Sequence, residues 1–227
     1  MQQHRPVALI TGASRGIGRA VAADLGRTHH VLVGGRDEEA VAEVVAALPS
    51  AAGFVADLVD DALPALPERL DVLVHSAGVE DGDAVGDTDR ATWRRVFEAN
   101  LFAVAELTRL ALPALRAARG TVVLVNSGSG FSSAPGGAVY AASKFALRAL
   151  ADALREEERQ AGVRVVSVHP GRTDSDMQRA KVEKEGRDYD LRFLLDPADV
   201  AAVVRTAVDL PPGAVLETAS VRPSAVR

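Results

Sequence analysis

Residues 11–18 read TGASRGIG and follow the short apolar run PVALI (6–10). Three glycines in eight residues sacrifice side chains and backbone order where a helix is about to start. Two needs explain such a stretch: a tight turn, or the close approach of something to the backbone. Downstream, SRGIGRAVAADLGRT places Ile17, Val21 and Leu25 at i, i+4 and i+8, the stripe of an amphipathic helix. Strand, Gly-rich turn and helix form the context that gives a glycine pattern meaning. Gly12 lets the chain turn off the strand, Gly16 lets backbone approach a pyrophosphate, and Gly18 lets the helix pack near the sheet. The phosphates would then face free N–H groups at the positive end of the helix dipole. An ordinary tight βα turn is the alternative, and the spacing G-x-x-x-G-x-G differs from the commoner G-x-G-x-x-G.

Outward from this turn, apolar runs recur: HVLVGG (30–35), GFVAD (53–57), LDVLVHSAG (70–78), GTVVLVNS (120–127), VRVVSVHPG (163–171) and AVLETASV (214–221). Helical patterns separate most of them. They include a long amphipathic stretch over 89–118 with Pro113 inside it, an Ala-rich one over 138–161, and one opening at Asp196-Pro197 as N-cap and first helical residue. Pro64 and Pro67 predict a short, poorly helical link between the third and fourth strands. Strands alternating with helices imply βαβ units. The expected fold is α/β: a Rossmann-type, doubly wound parallel sheet of about seven strands with helices on both faces, residues 1–227 forming one domain.

The 227 residues are 48% hydrophobic and 25% charged, which suits one sizeable globular domain. A net charge of −5 without a dense basic cluster argues against nucleic acid, and no window approaches a membrane span. With no cysteine, disulfides and thiolate metal sites are excluded, and no Cys/His/Asp cluster supplies a metal site. A soluble cytoplasmic protein is expected.

Taken together, the motifs resemble those of the short-chain dehydrogenase/reductase family over nearly the whole chain. TGASRGIG resembles its cofactor turn, HSAG (75–78) its N-N-A-G strand end, and Asn100 in FEANLF its helix asparagine. NSGSGFSSAPGGAVYAASK matches its S…Y-x-x-x-K run and HPGRTDSDM its P-G motif. The ending VLETASVRPS resembles the branch that contains NADP-dependent hydroxy-acid dehydrogenases. The resemblance implies an oxidoreductase that moves a hydride between a nicotinamide cofactor and a small carbonyl or secondary alcohol. It also implies a homodimer or homotetramer, paired through Val96, Leu101, Phe102 and Leu110 on one helix and Phe145, Leu147 and Leu150 on the other. A nucleotide-binding regulatory or scaffold protein of the same fold is the alternative; the intact triad argues against it.

The chemistry of the motif stands on its own. Tyr140 and Lys144 are i, i+4 on a helix and share a face. A tyrosine with pKa ~10 is a poor base at neutral pH, and a nearby ammonium favours its phenolate. Ser127, thirteen residues before Tyr140, closes the fifth strand, so the three converge above the carboxyl edge of the sheet. Tyr140 is expected as general acid or base, Ser127 as donor to the carbonyl oxygen (Ser129 is the alternative, the thirteen-residue spacing favouring Ser127), and Lys144 as the group that lowers the tyrosine pKa and holds the ribose. The resemblance gives Asn100 a water linking Lys144 to solvent.

The expected cofactor residues are Gly12, Ser14, Arg15, Gly16, Ile17, Gly18, Arg36, Asp57, Leu58, Ser76, Ala77, Gly78, Tyr140, Lys144, Pro170, Gly171, Thr173 and Ser175. Within them the resemblance assigns Asp57 to the adenine amino group and the Ser175 hydroxyl to the carboxamide, with Thr173 giving mainly backbone. NADP is expected over NAD. The second strand ends with Gly35 where NAD-binding relatives carry an acid, and Arg36 and Arg15 flank the place of a 2′-phosphate. Asp37 is the competing residue. Ser76 replaces an asparagine, so a bridge between strands is expected to be lost or taken over by water. His75 is read first as a packed, hydrogen-bonded histidine, EEER (156–159) as a solvated face, and 172–195 as a substrate loop, with 179–195 either a lid or a surface loop.

Overall fold

The computed structural model describes residues 5–59 and 63–224. In chain order these form β1 (Val7–Ile10), α1 (Gly16–Leu25), β2 (His30–Gly35), α2 (Glu38–Ala47), β3 (Ala51–Val55) and β4 (Val72–His75). Then come α3 (Arg90–Phe97), a π-helical turn (Glu98–Phe102), α4 (Ala103–Ala118), β5 (Thr121–Val125), α5 (Ala138–Glu158) and β6 (Arg164–Pro170). The chain closes with α6 (Asp176–Lys184), α7 (Pro197–Asp209) and β7 (Thr218–Val221). The seven strands form a single parallel sheet in the order β3-β2-β1-β4-β5-β6-β7. This is the doubly wound Rossmann-type fold that the alternation predicts.

Strand residues point alternately to two faces, and both faces are apolar. Ala8, Ile10, Val31, Val33, Val74, Val123 and Val166 face a core closed by α1, α2 and α7. Leu9, Leu73, Val122, Leu124 and Val165 face the opposite core, closed by α4 and α5. Between β3 and β4 no helix is present among the described residues. Leu58, Leu63 and Leu66 of that irregular connection pack on the second core instead. Asp196 caps α7 through a capping box with Asp199, and Pro197 opens the helix, as read from the sequence.

The helical pattern over 89–118 is two α-helices joined by the π turn, and α4 runs through Pro113. This rearranges which apolar residues stay outside. Val96 and Leu147, expected at an intersubunit surface, are buried in their own protomer, whereas Phe102, Leu110 and Phe145 are exposed. EEER is not wholly solvated either: Glu158 is buried, and Arg116 of α4 grips it with two hydrogen bonds of 2.8 and 2.5 Å. The last strand is only Thr218–Val221, entered through Glu217, whose carbonyl accepts from Ser167 N of β6 (2.9 Å).

The glycine turn is where the fold is tightest. Gly12 has φ +63°, and a Cβ on it would lie 2.9 Å from the Ala77 backbone at the end of β4. A Cβ on Gly18 would lie 2.2 Å from the Gly12 carbonyl oxygen, so α1 rests directly on the turn that feeds it. Gly18→Ala is expected to lower unfolding free energy by about 2 kcal/mol or more, an overpacking effect against backbone that cannot yield. Gly86→Ala, where nothing lies within 4 Å, should stay within about 0.5 kcal/mol of wild type. Urea melts of the two variants check this.

Candidate active site

The carboxyl ends of β1, β2, β4 and β5 open into a cavity of about 530 Å³. Gly12, Ser14, Arg15, Gly16, Ile17 and Gly18 line one wall, and Arg36, Asp57 and Leu58 extend it past β2 and β3. Ser76, Ala77 and Gly78 follow β4, and Tyr140, Lys144 and Ser175 complete the far end. Most of the predicted cofactor residues therefore meet in one place. Pro170, Gly171 and Thr173 are not among the lining residues. Gly171 donates to Val221 of β7 (2.7 Å), and the buried Thr173 hydroxyl donates to the Gly171 carbonyl (3.1 Å).

The rim at α1 suits an anion. Arg15 stands at the N-cap without a side-chain cap bond, and the first turn carries no acid. Helices α2, α3, α6 and α7 are instead capped by Asp37, Asp89, Ser175 and Asp196. The uncapped N–H groups of α1, with turn glycines that bring backbone to the cavity surface, fit a phosphate-bearing cofactor. Arg36 pairs with Asp57 at 3.3 Å and Arg15 with Asp176 at 3.6 Å. Both guanidinium groups are well exposed, so these pairs are weak and exchangeable. Asp37 accepts from the Ala40 amide as a helix cap. Gly35 has a packing reason as well: a Cβ there would lie 2.8 Å from Val41 Cγ2. The Ser175 hydroxyl is engaged within its own turn, accepting from Gln178 N and donating to Thr173 O.

At the other end, Tyr140 and Lys144 stand one turn apart on α5, with Lys144 Nζ 5.7 Å from the Tyr140 ring centre. Lys144 is buried and donates to the Val125 carbonyl at the tip of β5 (3.2 Å). Ser127 follows two residues later, and its side chain hydrogen-bonds the Tyr140 hydroxyl. Burial raises the Tyr140 pKa above its ordinary value; the Glu80 carboxylate adds to this and the Ser127 bond opposes it. The direction is opposite to the expected lowering, with desolvation of the phenolate the largest cause. Burial also lowers Lys144 to about 8, with Glu80 pulling it back up. Near neutral pH the pair is a neutral phenol beside an ammonium.

Asn100 lies in the π turn and is buried. Its amide pairs with the Val79 backbone in both directions (2.8 Å each) and donates to Ser143 Oγ (3.0 Å). The side chain thus pins the segment after β4. The bridge expected to be lost at Ser76 is made by Thr11, whose hydroxyl accepts from the Ser76 and Ala77 amides (3.1 Å each). His75 is packed and hydrogen-bonded: Nε2 donates to Thr108 Oγ1 (2.9 Å), because that hydroxyl already donates to the Val104 carbonyl. Its Nδ1 has no partner, and burial lowers its pKa to about 3, so the ring is neutral.

Several contributors escape a motif search. Asn126 joins the two halves of the triad, donating to the Lys144 carbonyl (3.1 Å) and accepting from the Ser127 amide (2.8 Å). Its only sequence signal is its place directly before Ser127. Glu80 is paired with Lys181 of α6, while Lys184 holds Asp83 (2.8 Å) and the Gly82 carbonyl (3.1 Å). The 179–195 segment is thus the rest of α6, tied to the loop after β4, and a 3₁₀ turn at Leu191–Phe193; Tyr189 bonds Asp174 (2.7 Å).

Comparison with known proteins agrees with this geometry. Residues 6–186 match the family described as short chain dehydrogenase. An uncharacterized short-chain type dehydrogenase/reductase of Sinorhizobium fredii is 33% identical over 217 residues, spanning 90% of this chain and 86% of the relative. A solved oxidoreductase of the short chain dehydrogenase/reductase family from Burkholderia thailandensis superposes with a TM-score of 0.86 at 31% identity, covering 97% of this chain and 92% of that one. An actinorhodin polyketide ketoreductase variant solved with NADPH gives 0.86 at 25% identity, over 98% of each chain.

Because Glu80 raises both pKa values at the site, Glu80→Gln should lower both. Lys144 should titrate with a midpoint near 8 in the wild-type protein, and lower in the variant. Nitrogen-detected NMR of the lysine ammonium and ultraviolet titration of the tyrosines read the two shifts. An unchanged Lys144 midpoint would show that Glu80 does not act on it.

Proposed function

The chain belongs to the short-chain dehydrogenase/reductase family, and as an NAD(P)-dependent enzyme of that family we propose that it reduces a small carbonyl compound with NADPH. The observation that carries the reading is the pair Tyr140 and Lys144 at the far end of a cavity rimmed by the glycine turn, with the Ser127 side chain hydrogen-bonded to Tyr140. NADPH bound there supplies the hydride. Gly12, Gly16 and the start of α1 hold its pyrophosphate, and Asp57 meets the adenine end. Tyr140 donates the proton to the carbonyl oxygen. Its burial suits that direction, since it keeps the phenol protonated until the oxygen becomes basic. Ser127 Oγ hydrogen-bonds the same oxygen. Lys144 stabilises the phenolate left behind and holds the nicotinamide ribose. With its pKa lowered to about 8 it carries charge at neutral pH and loses it as pH rises through that value, so reduction should weaken above it. Asn100 fixes Val79 and with it the loop bearing Glu80.

The preference for NADP over NAD rests on Gly35, Arg36 and Arg15, and on Asp37 being occupied as a helix cap. Arg36 would exchange its exposed pair with Asp57 for a forked contact to the 2′-phosphate.

Tyr140→Phe removes only the proton-transfer group. NADPH binding should survive, while turnover on a panel of ketones and aldehydes, followed at 340 nm, should fall at least ~10²-fold. Near-normal turnover would sink the assignment. In calorimetric titrations NADPH should bind at least ~10-fold more tightly than NADH, one step of about 1.4 kcal/mol, with the gap shrinking in Arg36→Ala. Equal or tighter NADH binding in the wild type would refute the arginine reading.

A further inference from the structure

The ladder between β5 and β6 ends where the Asn126 amide donates to the Val168 carbonyl (2.7 Å). The two strand ends are next linked by a side chain: His169 Nδ1 lies 2.9 Å from the Ser127 carbonyl oxygen. We propose that His169 is a positioning residue, whose imidazole continues the ladder by one bond and so fixes the backbone that carries the Ser127 hydroxyl. The proposal rests on the reading of Ser127 as the group that meets the substrate carbonyl.

The chemistry of the partners settles the tautomer. A carbonyl oxygen only accepts, so Nδ1 carries the proton. Nε2 then accepts from Ser167 Oγ at 2.9 Å, two residues back on the same face of β6. The ring is fully buried and packs against Phe131, centre to centre 4.2 Å. Burial lowers its pKa, so it stays neutral and presents one fixed donor. The His169 carbonyl is itself held by Arg222 Nη1 at 2.6 Å. At the receiving end, Ser127 is extended (φ −161°, ψ 160°), with its N–H on Asn126 Oδ1 and its carbonyl also taking the Gly130 amide at 3.0 Å. Every backbone group of Ser127 is thus tied, and His169 is the tie that crosses to the neighbouring strand.

Leu and Asn are close in shape, and an Asn amide N–H falls near the position of an imidazole Nδ1–H. His169→Leu removes the donor and His169→Asn keeps it. With the carbonyl compound that the wild type reduces best from a panel of ketones and aldehydes, kcat should fall about ten- to a hundredfold in His169→Leu, the effect of a displacement on the order of 1 Å. NADPH affinity should be unchanged, and His169→Asn should recover most of kcat. In a Ser127→Ala background His169→Leu should add no further loss, since groups acting as one unit are not additive. A fully active Ser127→Ala would overturn the reading of Ser127. An impaired Ser127→Ala beside a fully active His169→Leu would overturn the role of His169 alone, as would additive losses or equal damage from Leu and Asn. Nitrogen NMR of the wild-type histidines needs neither a variant nor a substrate: Nδ1 protonation at His169 is expected, and an Nε2-protonated ring would refute the proposal.

Discussion

No side chain fits at Gly12, where the ends of β1 and β4 meet. A single methyl group on Gly12 would press on the Ala77 backbone, and Thr11 fills the remaining space with a hydroxyl that accepts from the Ser76 and Ala77 amides just beyond β4. The site depends on this contact. After it the two chains part: β1 leads to α1 on one face of the sheet, and β4 leads to α3 and α4 on the other. The divergence opens a cleft at the carboxyl edge, as it does wherever a doubly wound sheet reverses its order. Because α1 rests on the Gly12 carbonyl, its uncapped end has one pose. Larger residues in the turn would lift the helix and move its free N–H groups away from the cleft.

The reactive end has a different character. Lys144 is buried and Tyr140 half-buried, and the loss of solvent opposes charge on both, raising one pKa and lowering the other. Sheltering the phenol preserves its proton, while a lysine left only partly committed to its charge responds strongly to neighbours. Glu80 is such a neighbour, and it is bound to Lys181 on α6. The electrostatic state of the triad is therefore connected, through one carboxylate, to the helix that borders the cavity at Met177.

Much of this is legible in the letters. The order of strands and helices, the glycine turn and the Ser127–Tyr140–Lys144 spacing all follow from local periodicity and from steric needs expressed within a few residues. The sequence is silent where partners lie far apart in the chain. Nothing near Asn100 indicates that its amide will pair with Val79, and nothing near His169 points to Ser127. The helical stripe over 89–118 misleads for a related reason: a regular period does not register the π turn, and of the apolar residues it offers for a partner, Val96 is buried while Phe102 is exposed. The tyrosine shift runs against the spacing for the same kind of reason: spacing reports proximity to an ammonium but not the depth of burial, the largest cause here.

That π turn also bears on how the chain can change over generations. It holds one residue more than the α-helical turn it replaces, and each residue turns a helix by about 100°. Losing one residue from 98–102 would swing the whole buried stripe of α4, from Ala103 to Leu115, off the sheet, while Asn100 lost its seat on Val79. Substitutions there are graded in their effects, but a change of length is not. The geometry therefore constrains the number of residues in this segment more tightly than their side chains.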